Sequence, residues 1–283
     1  MDAFWKEFKG RMSFISVKYL GQEGFILSFG DLKICFDLYL SNIVLERTGE
    51  GVRNYAPPCG TEELKDLDYC LISHAHLDHF DPPTLRELNR NSDKIRFICP
   101  APYQGELEAL GILPDRIIGA RAGQALSFSG LRVHPIPQKH ESYEIIDGEH
   151  GNLGYVLEGG GIRLYHAGDG IADKELAERL KSFGKFDIMF LPINGHDWKR
   201  YESGIMGNMT YREALDLSGY VGTELLVPMH YDLFGNNTEN PAFFVDYLYR
   251  AYPGQKFKMF MPGEEIFLRG RCIPPMALSK GKD

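Results

Sequence analysis

Residues 68–90 read DYCLISHAHLDHFDPPTLRELNR, and this stretch decides the architecture. DYCLIS (68–73) is a short apolar run of strand-forming types. DPPTLRELNR (81–90) predicts a helix with proline in its first turn. Between them stand His74, His76, Asp78 and His79, although the chain has only nine histidines in 283 residues. A loop at the carboxyl end of a strand is therefore loaded with ligand-type side chains. In such a loop, residues two apart can converge on one point while the adjacent Asp78–His79 pair serves a second. Imidazole and carboxylate together suit Zn²⁺, Mn²⁺ or Fe²⁺.

Working outward, SFISVKYL (13–20), GFILSF (24–29) and LKICFD (32–37) predict three strands, the last two joined by a tight turn at Gly30-Asp31. Residues 41–67 carry charge, glycine and proline with little periodicity and predict an excursion near the site. Further strands are expected at 96–100, 116–120, 125–128, 131–137, 153–158, 162–167, 187–193, 224–229, 256–260 and 265–269. Helices are expected at 102–110, 173–183 and 241–252, with another beginning at a capping box of Thr210 and Glu213. Strands come first, then alternating strands and helices, then strands again. Two mixed sheets packed face to face with helices outside, an α/β (α+β) αββα sandwich, satisfy that order, with residues 1–283 forming one domain.

Composition narrows the function classes. Hydrophobic residues are 43% and charged residues 25%, with a formal net charge of −8. That balance argues against a broad nucleic-acid surface, which needs a basic stripe. No apolar run approaches the roughly 20 residues of a membrane span. The opening MDAFWKEFKGRMSF lacks a secretory core and cleavage site. Cys35, Cys59, Cys70, Cys99 and Cys272 are odd in number and scattered, as reduced thiols of a cytoplasmic protein would be.

One loop cannot close two metal sites, so further ligands are expected on other loops. His140 follows LRVHPIPQK, Asp169 follows IRLYHAG, and His230 follows ELLVPM, each just past an apolar strand. His166 is expected to pack or hydrogen-bond behind the site, His134 inside a strand, and His150 in an exposed loop.

The ordered set Asp37, His74-x-His76-x-Asp78-His79, His140, Asp169 and His230 resembles the motif set of the metallo-β-lactamase superfamily, from about residue 13 to 270. Within it, SHAHLDHFD, YHAGD, NMTYREALDL and LLVPMHYDLFGNN resemble the L-ascorbate-6-phosphate lactonase family, although that family carries an aspartate near the slot of His140. The resemblance implies an αββα sandwich with two divalent ions (Zn²⁺ or Mn²⁺, possible Fe) at its rim. It gives His74, His76 and His140 to one ion, and Asp78, His79 and His230 to the other, with Asp169 bridging. Asp37 would hold the metal loop from behind, and Tyr231 and Asp232 would support the site beside His230. Diiron oxygen reductases on this fold resemble His-x-Glu-x-Asp, whereas this chain has His76 at the middle position.

The implied chemistry is hydrolysis by a water whose pKa two metals lower, with Asp78 as proton carrier and Asp169 between the ions. No G-x-S-x-G, P-loop or G-x-G-x-x-G competes with it. A small sugar-acid lactone, free or phosphorylated, is the first candidate substrate. Lys139, Asn194, His196, Lys199, Arg200, Asn236 and Asn237 are the candidates to recognise it. A phosphodiesterase acting on a nucleotide or phospholipid head group is the second reading, and a non-catalytic metal-bound binding protein the third. A homo-oligomer is compatible with the family.

Overall fold

The computed structural model describes residues 14–269. The opening segment and Cys272 lie outside them. Two seven-stranded sheets carry the structure. The first runs β16 (Glu265–Arg269), β1 (Phe14–Gly21), β2 (Gly24–Phe29), β3 (Leu32–Phe36), β4 (Tyr69–Leu71), β5 (Arg96–Pro100), β6 (Ile117–Ala120). The second runs β15 (Lys256–Phe257), β14 (Thr223–Met229), β13 (Phe186–Pro192), β12 (Ile162–His166), β11 (Leu153–Gly159), β8 (Leu131–Pro137), β7 (Leu126–Phe128). A small hairpin, β9 (Ile145–Ile146) and β10 (Glu149–His150), stands apart.

The first sheet shows why its strands read as unbroken apolar runs. Phe25, Leu27, Ile34, Phe36, Leu71 and Ile98 face a core shared with the second sheet. The alternate residues Ile26, Cys35, Cys70, Phe97 and Cys99 face a separate core beneath helices α2 (Pro82–Asn91) and α3 (Gln104–Ala109). Successive side chains on a strand point to opposite faces, so a strand covered on both sides needs apolar residues at every position. Cys35, Cys70 and Cys99 are buried and unpaired with one another by any disulfide. Helices α4 (Lys174–Ser182), α6 (Tyr211–Val221) and α7 (Pro241–Ala251) belong to the half of the chain that forms the second sheet, and Leu176, Leu180, Leu215 and Phe244 pack into its core. The four-layer αββα order follows.

Strands β3 to β6 run parallel, as do β12 to β15. Because β11 is antiparallel to both β8 and β12, β8 points the same way as β12. The loops carrying Asp37, His74–His79, His140, Asp169 and His230 therefore all leave from carboxyl ends of strands.

Local differences from the sequence reading have simple causes. The 41–67 excursion contains a short helix, α1 (Ile43–Thr48), whose preceding Asn42 makes no side-chain cap, so no start signal marked it. Another, α5 (Trp198–Glu202), is capped by Asp197 but is too short to show periodicity. β15 ends at Phe257, short of the expected 260. His134 is half-buried, with Nε2 3.1 Å from Glu158. His150 is half-buried against Tyr143 rather than exposed.

Asp81 anchors the metal-loop side of this frame. As the N-cap of α2 it accepts from Thr84 N and Oγ1, and also from Leu40 N, Ser41 N and Ser41 Oγ. Its burial is complete. Asp81→Ala leaves five donors without their shared acceptor and should cost roughly 3 kcal/mol or more, given about 1.5–3 kcal/mol for a hydrogen bond to a charged group. Chemical denaturation checks this; a change within experimental error would show that Asp81 does not hold the two segments together.

Candidate metal centre

Asp37 ends β3 in the left-handed region, with φ of 39°. Its carboxylate accepts from Ser73 N (2.8 Å) and Ser73 Oγ (2.6 Å), and His79 Nδ1 lies 3.1 Å from Oδ2. Since an ionised carboxylate only accepts, His79 carries its proton on Nδ1 and turns the bare Nε2 toward the other loops. The same logic runs on. Ser73 Oγ gives its proton to Asp37, so it accepts from His74 Nδ1 at 2.9 Å, leaving His74 Nε2 free. His140 Nδ1 donates to Gly207 O at 3.0 Å, freeing its Nε2. Each of these rings is oriented from behind by an acceptor.

The bare nitrogens converge on Asp169. Its Oδ2 stands 3.7 Å from His74 Nε2, 3.5 Å from His140 Nε2 and 3.5 Å from His79 Nε2. Its Oδ1 stands 3.3 Å from His230 Nε2. Asp78 Oδ2 lies 3.6 Å from both His79 Nε2 and His230 Nε2. His76 Nδ1 meets His74 Nε2 at 2.9 Å, and His76 is the exposed member of the group. Two sets of ligand atoms lie toward the rim, His74, His76, His140 and Asp169 in one and Asp78, His79 and His230 in the other; behind them Glu23 groups with His79 and Asp169, and with Asp37 and His166.

These separations test the fit of a metal. Ligand atoms about 2.0–2.1 Å from a shared tetrahedral ion sit roughly 3.4 Å apart. Most of the contacts above fall between 3.3 and 3.7 Å, too long for strong hydrogen bonds and suited to a cation between them. His79 Nε2 is fully buried and has no hydrogen-bond partner. An orphaned lone pair in a dry site costs free energy unless something binds it. The donor set therefore fits divalent ions.

Charge points the same way. Burial would raise Asp169, but the His230 and His79 rings overcome it and hold the carboxyl well below the usual range. Burial would lower His230; Asp169 and Asp78 instead push it up to about 10. Burial, together with the His79 and His76 rings, drives His74 well below its ordinary value. Without a cation, the carboxylates of Asp169 and Asp78 favour a second proton on the His79 and His230 rings. A bound cation would supply that positive charge instead, and the Nε2 atoms would then be the bare ligand nitrogens that the hydrogen bonds from behind select.

Sequence reading missed the floor of the site. Gln22 and Glu23 lie in the β1–β2 turn and are buried. Gln22 Nε2 donates to Asp78 Oδ2 at 2.7 Å and lies 2.9 Å from His230 Nε2. Glu23 has neither carboxyl oxygen hydrogen-bonded, stands 3.8 Å from His79 Nδ1, and is raised well above the usual carboxyl range by burial and by Asp169. Asn208 Nδ2 donates to Asp169 Oδ1 at 2.7 Å, fixing the shared carboxylate. The only local signal was a polar Gln-Glu pair between glycines inside an apolar hairpin. Among the described residues, four of the six non-glycine residues with positive φ, namely Gln22, Asp37, Glu141 and His230, are at this site or next to its candidate ligands. Such backbone costs about 1–3 kcal/mol each and persists where surroundings enforce it.

The remaining candidates separate. His166 is buried, stacked on Phe36 at 4.5 Å, and donates from Nε2 to Glu23 O. Tyr231 is buried, and Asp232 accepts from Tyr55 OH at 2.9 Å. Asn194 is buried and donates to Asn237 Oδ1, while Arg200 bonds Asn194 O and Thr238 O, so these groups stitch loop 194–200 to loop 234–238. Lys139 is half-buried, 4.0 Å from Asp173. His196, Lys199 and Asn236 are exposed, His196 beside Glu213 and Lys199 near the Trp198 ring.

With this geometry in view, comparison with known proteins is decisive for the family. The beta-lactamase superfamily domain matches residues 40–231. The chain belongs to the metallo-β-lactamase superfamily. A UPF0173 metal-dependent hydrolase of Enterococcus faecalis is 30% identical over 220 residues, 75% of this chain and 87% of the relative. Another of that name from Pyrococcus horikoshii is 26% identical, over 90% of this chain and all of the relative. Among solved structures, Igni18, a metallo hydrolase of Ignicoccus hospitalis, is 22% identical with a TM-score of 0.71, covering 90% of this chain and 99% of that one. CmlA, a diiron β-hydroxylase of Streptomyces venezuelae, is 15% identical with a TM-score of 0.66, covering 90% of this chain and 54% of that one. The structural likenesses show the fold.

Asp37→Ala removes the acceptor that orients His79 and, through Ser73, His74. Metal affinity should fall about 10–100-fold. Competition against a chromophoric chelator, with circular dichroism as folding control, measures it; unchanged affinity would remove Asp37 from this role.

Proposed function

We propose that this chain is a metal-dependent hydrolase with two divalent ions, opening the lactone ring of a small sugar acid. His74, His76 and His140 would hold one ion and Asp78, His79 and His230 the other, with Asp169 facing both sets. The observation that carries the reading is that the two oxygens of Asp169 face both histidine groups. The names of its UPF0173 relatives support the reaction class. Zn²⁺ and Mn²⁺ are the expected occupants, with Fe²⁺ compatible with the same donors.

When bound, such ions supply a nucleophile at neutral pH and neutralise the negative charge that develops on the carbonyl oxygen. The chain's own groups do the rest. Asn208 fixes the orientation of Asp169. The His79 and His230 rings overcome the effect of burial on Asp78 and hold its carboxyl below the usual range, which keeps it a hydrogen-bond acceptor beside the nucleophile. Its role as proton carrier to the departing ring oxygen rests on its position 3.6 Å from both His79 Nε2 and His230 Nε2. Gln22 keeps that carboxylate from turning away. Exposed His76 marks the side on which substrate reaches the centre. No helix among the described residues is long and apolar enough to cross a membrane. Free Cys35, Cys59, Cys70 and Cys99 suit a cytoplasmic setting.

A panel of sugar lactones assayed beside bis(p-nitrophenyl) phosphate, with Zn²⁺ or Mn²⁺ added, tests the substrate class. Lactone turnover is expected; turnover of the diester alone overturns the lactonase reading, and none on any ester, lactone or diester overturns the enzyme. Asp169→Ala should reduce bound metal below two ions per chain and turnover by about 10²-fold or more. Elemental analysis finding two full ions in that variant would contradict the ligand assignment.

A further inference from the structure

On the outer side of the metal loop lies an open cavity of about 300 Å³. Its wall includes Ile43 and Arg47 of α1, Pro82, Pro83 and Arg86 of α2, and Leu77. Leu77 stands between His76 and Asp78, yet none of the seven clustered histidines and aspartates lines this cavity. The cavity is therefore separate from the metal centre and shares only a stretch of backbone with it.

Its chemistry is uneven. The floor is aliphatic, from Ile43, Leu77 and the two prolines, whereas the rim carries two exposed guanidinium groups. Neither the Arg47 nor the Arg86 side chain has an ion pair, hydrogen bond or ring contact among the described residues. Several other arginines are engaged, Arg90 with Glu87, Arg121 with Glu149, Arg163 with Glu158 and Arg250 with Asp246; Arg96, Arg132 and Arg269 are also without a side-chain partner among the described residues, but none of those three lines this cavity. In a chain of net charge −8, two unengaged arginines beside one apolar cavity define a local positive field over a greasy floor. Planar guanidinium groups pair with carboxylate or phosphate, and apolar walls take the body attached to it.

We propose that this cavity binds a small organic anion with an apolar body, its head group between Arg47 and Arg86 and its carbon skeleton on Ile43, Leu77, Pro82 and Pro83. The volume is at the small end of the roughly 300–1,000 Å³ typical of ligand sites, which limits the body to a short chain or single ring. Carboxylate and phosphate head groups share this chemistry.

Calorimetric titration of the metal-loaded full chain with octanoate, octyl phosphate, 1-octanol and inorganic phosphate tests it. At least one of the two amphiphiles should bind at least tenfold more tightly than octanol and phosphate, and the tighter one names the head group. The surface double substitution Arg47→Gln/Arg86→Gln should weaken that binding at least tenfold, and Arg47→Lys/Arg86→Lys should restore part of it. Binding that survives the Gln pair would place the anion at the metals instead and overturn the proposal. Octanol binding as tightly, or no amphiphile binding at all, would also overturn it.

Discussion

The structure depends on one carboxylate being shared. Asp169 is buried, and taking an ionised carboxylate out of water costs several kcal/mol unless positive charge meets it. Four imidazoles from three loops approach its two oxygens at 3.3–3.7 Å. Those loops reach one place because β4, β8, β12 and β14 all end on the same rim. The sandwich, its parallel strands and its strained turns can be read as the frame needed to keep these charges together in a dry site.

The frame works outward in layers of acceptors. Asp37 holds Ser73 and His79, Ser73 holds His74, and Gly207 O holds His140. Each contact decides which nitrogen of a ring bears the proton, and so which one faces inward. A loop merely rich in histidine has no such bias. The layer explains why Asp37 is tolerated at φ of 39°: three hydrogen bonds compensate the strained backbone.

Much of this was legible before the fold was seen, for physical reasons that also mark where legibility stops. The strand before the cluster announces itself because both its faces are covered, and the Thr210–Glu213 capping box marks a helix start by purely local bonding. The clustered donors stand out because four ligand-type side chains in six positions are rare by chance, and the structure brings them together with His140, Asp169 and His230. Gln22 and Glu23 declare nothing: Gln22 meets His230 across 208 positions of chain, and no local pattern encodes such a contact. Helices α1 and α5 are too short for periodicity. Polar candidates such as Asn194 and Arg200 look like recognition groups in sequence, but the structure engages them in joining two loops.

The fold does not by itself choose a reaction, since CmlA shares it and is a diiron β-hydroxylase. The choice rests on what surrounds the donors. Hydrolysis asks for charge neutralisation, a held carboxylate to carry a proton, and an opening to solvent. In the proposed reading the cations that Asp169 helps to hold would supply the first, Asp78 braced by Gln22 the second, and exposed His76 marks the third. Glu23, buried behind His79 with neither carboxyl oxygen hydrogen-bonded, has its carboxyl raised well above the usual range by burial and by Asp169. That shift favours the neutral acid and so limits the negative charge gathered around Asp169, while its nearness to His79 and Asp169 keeps Glu23 within the same cluster of donors.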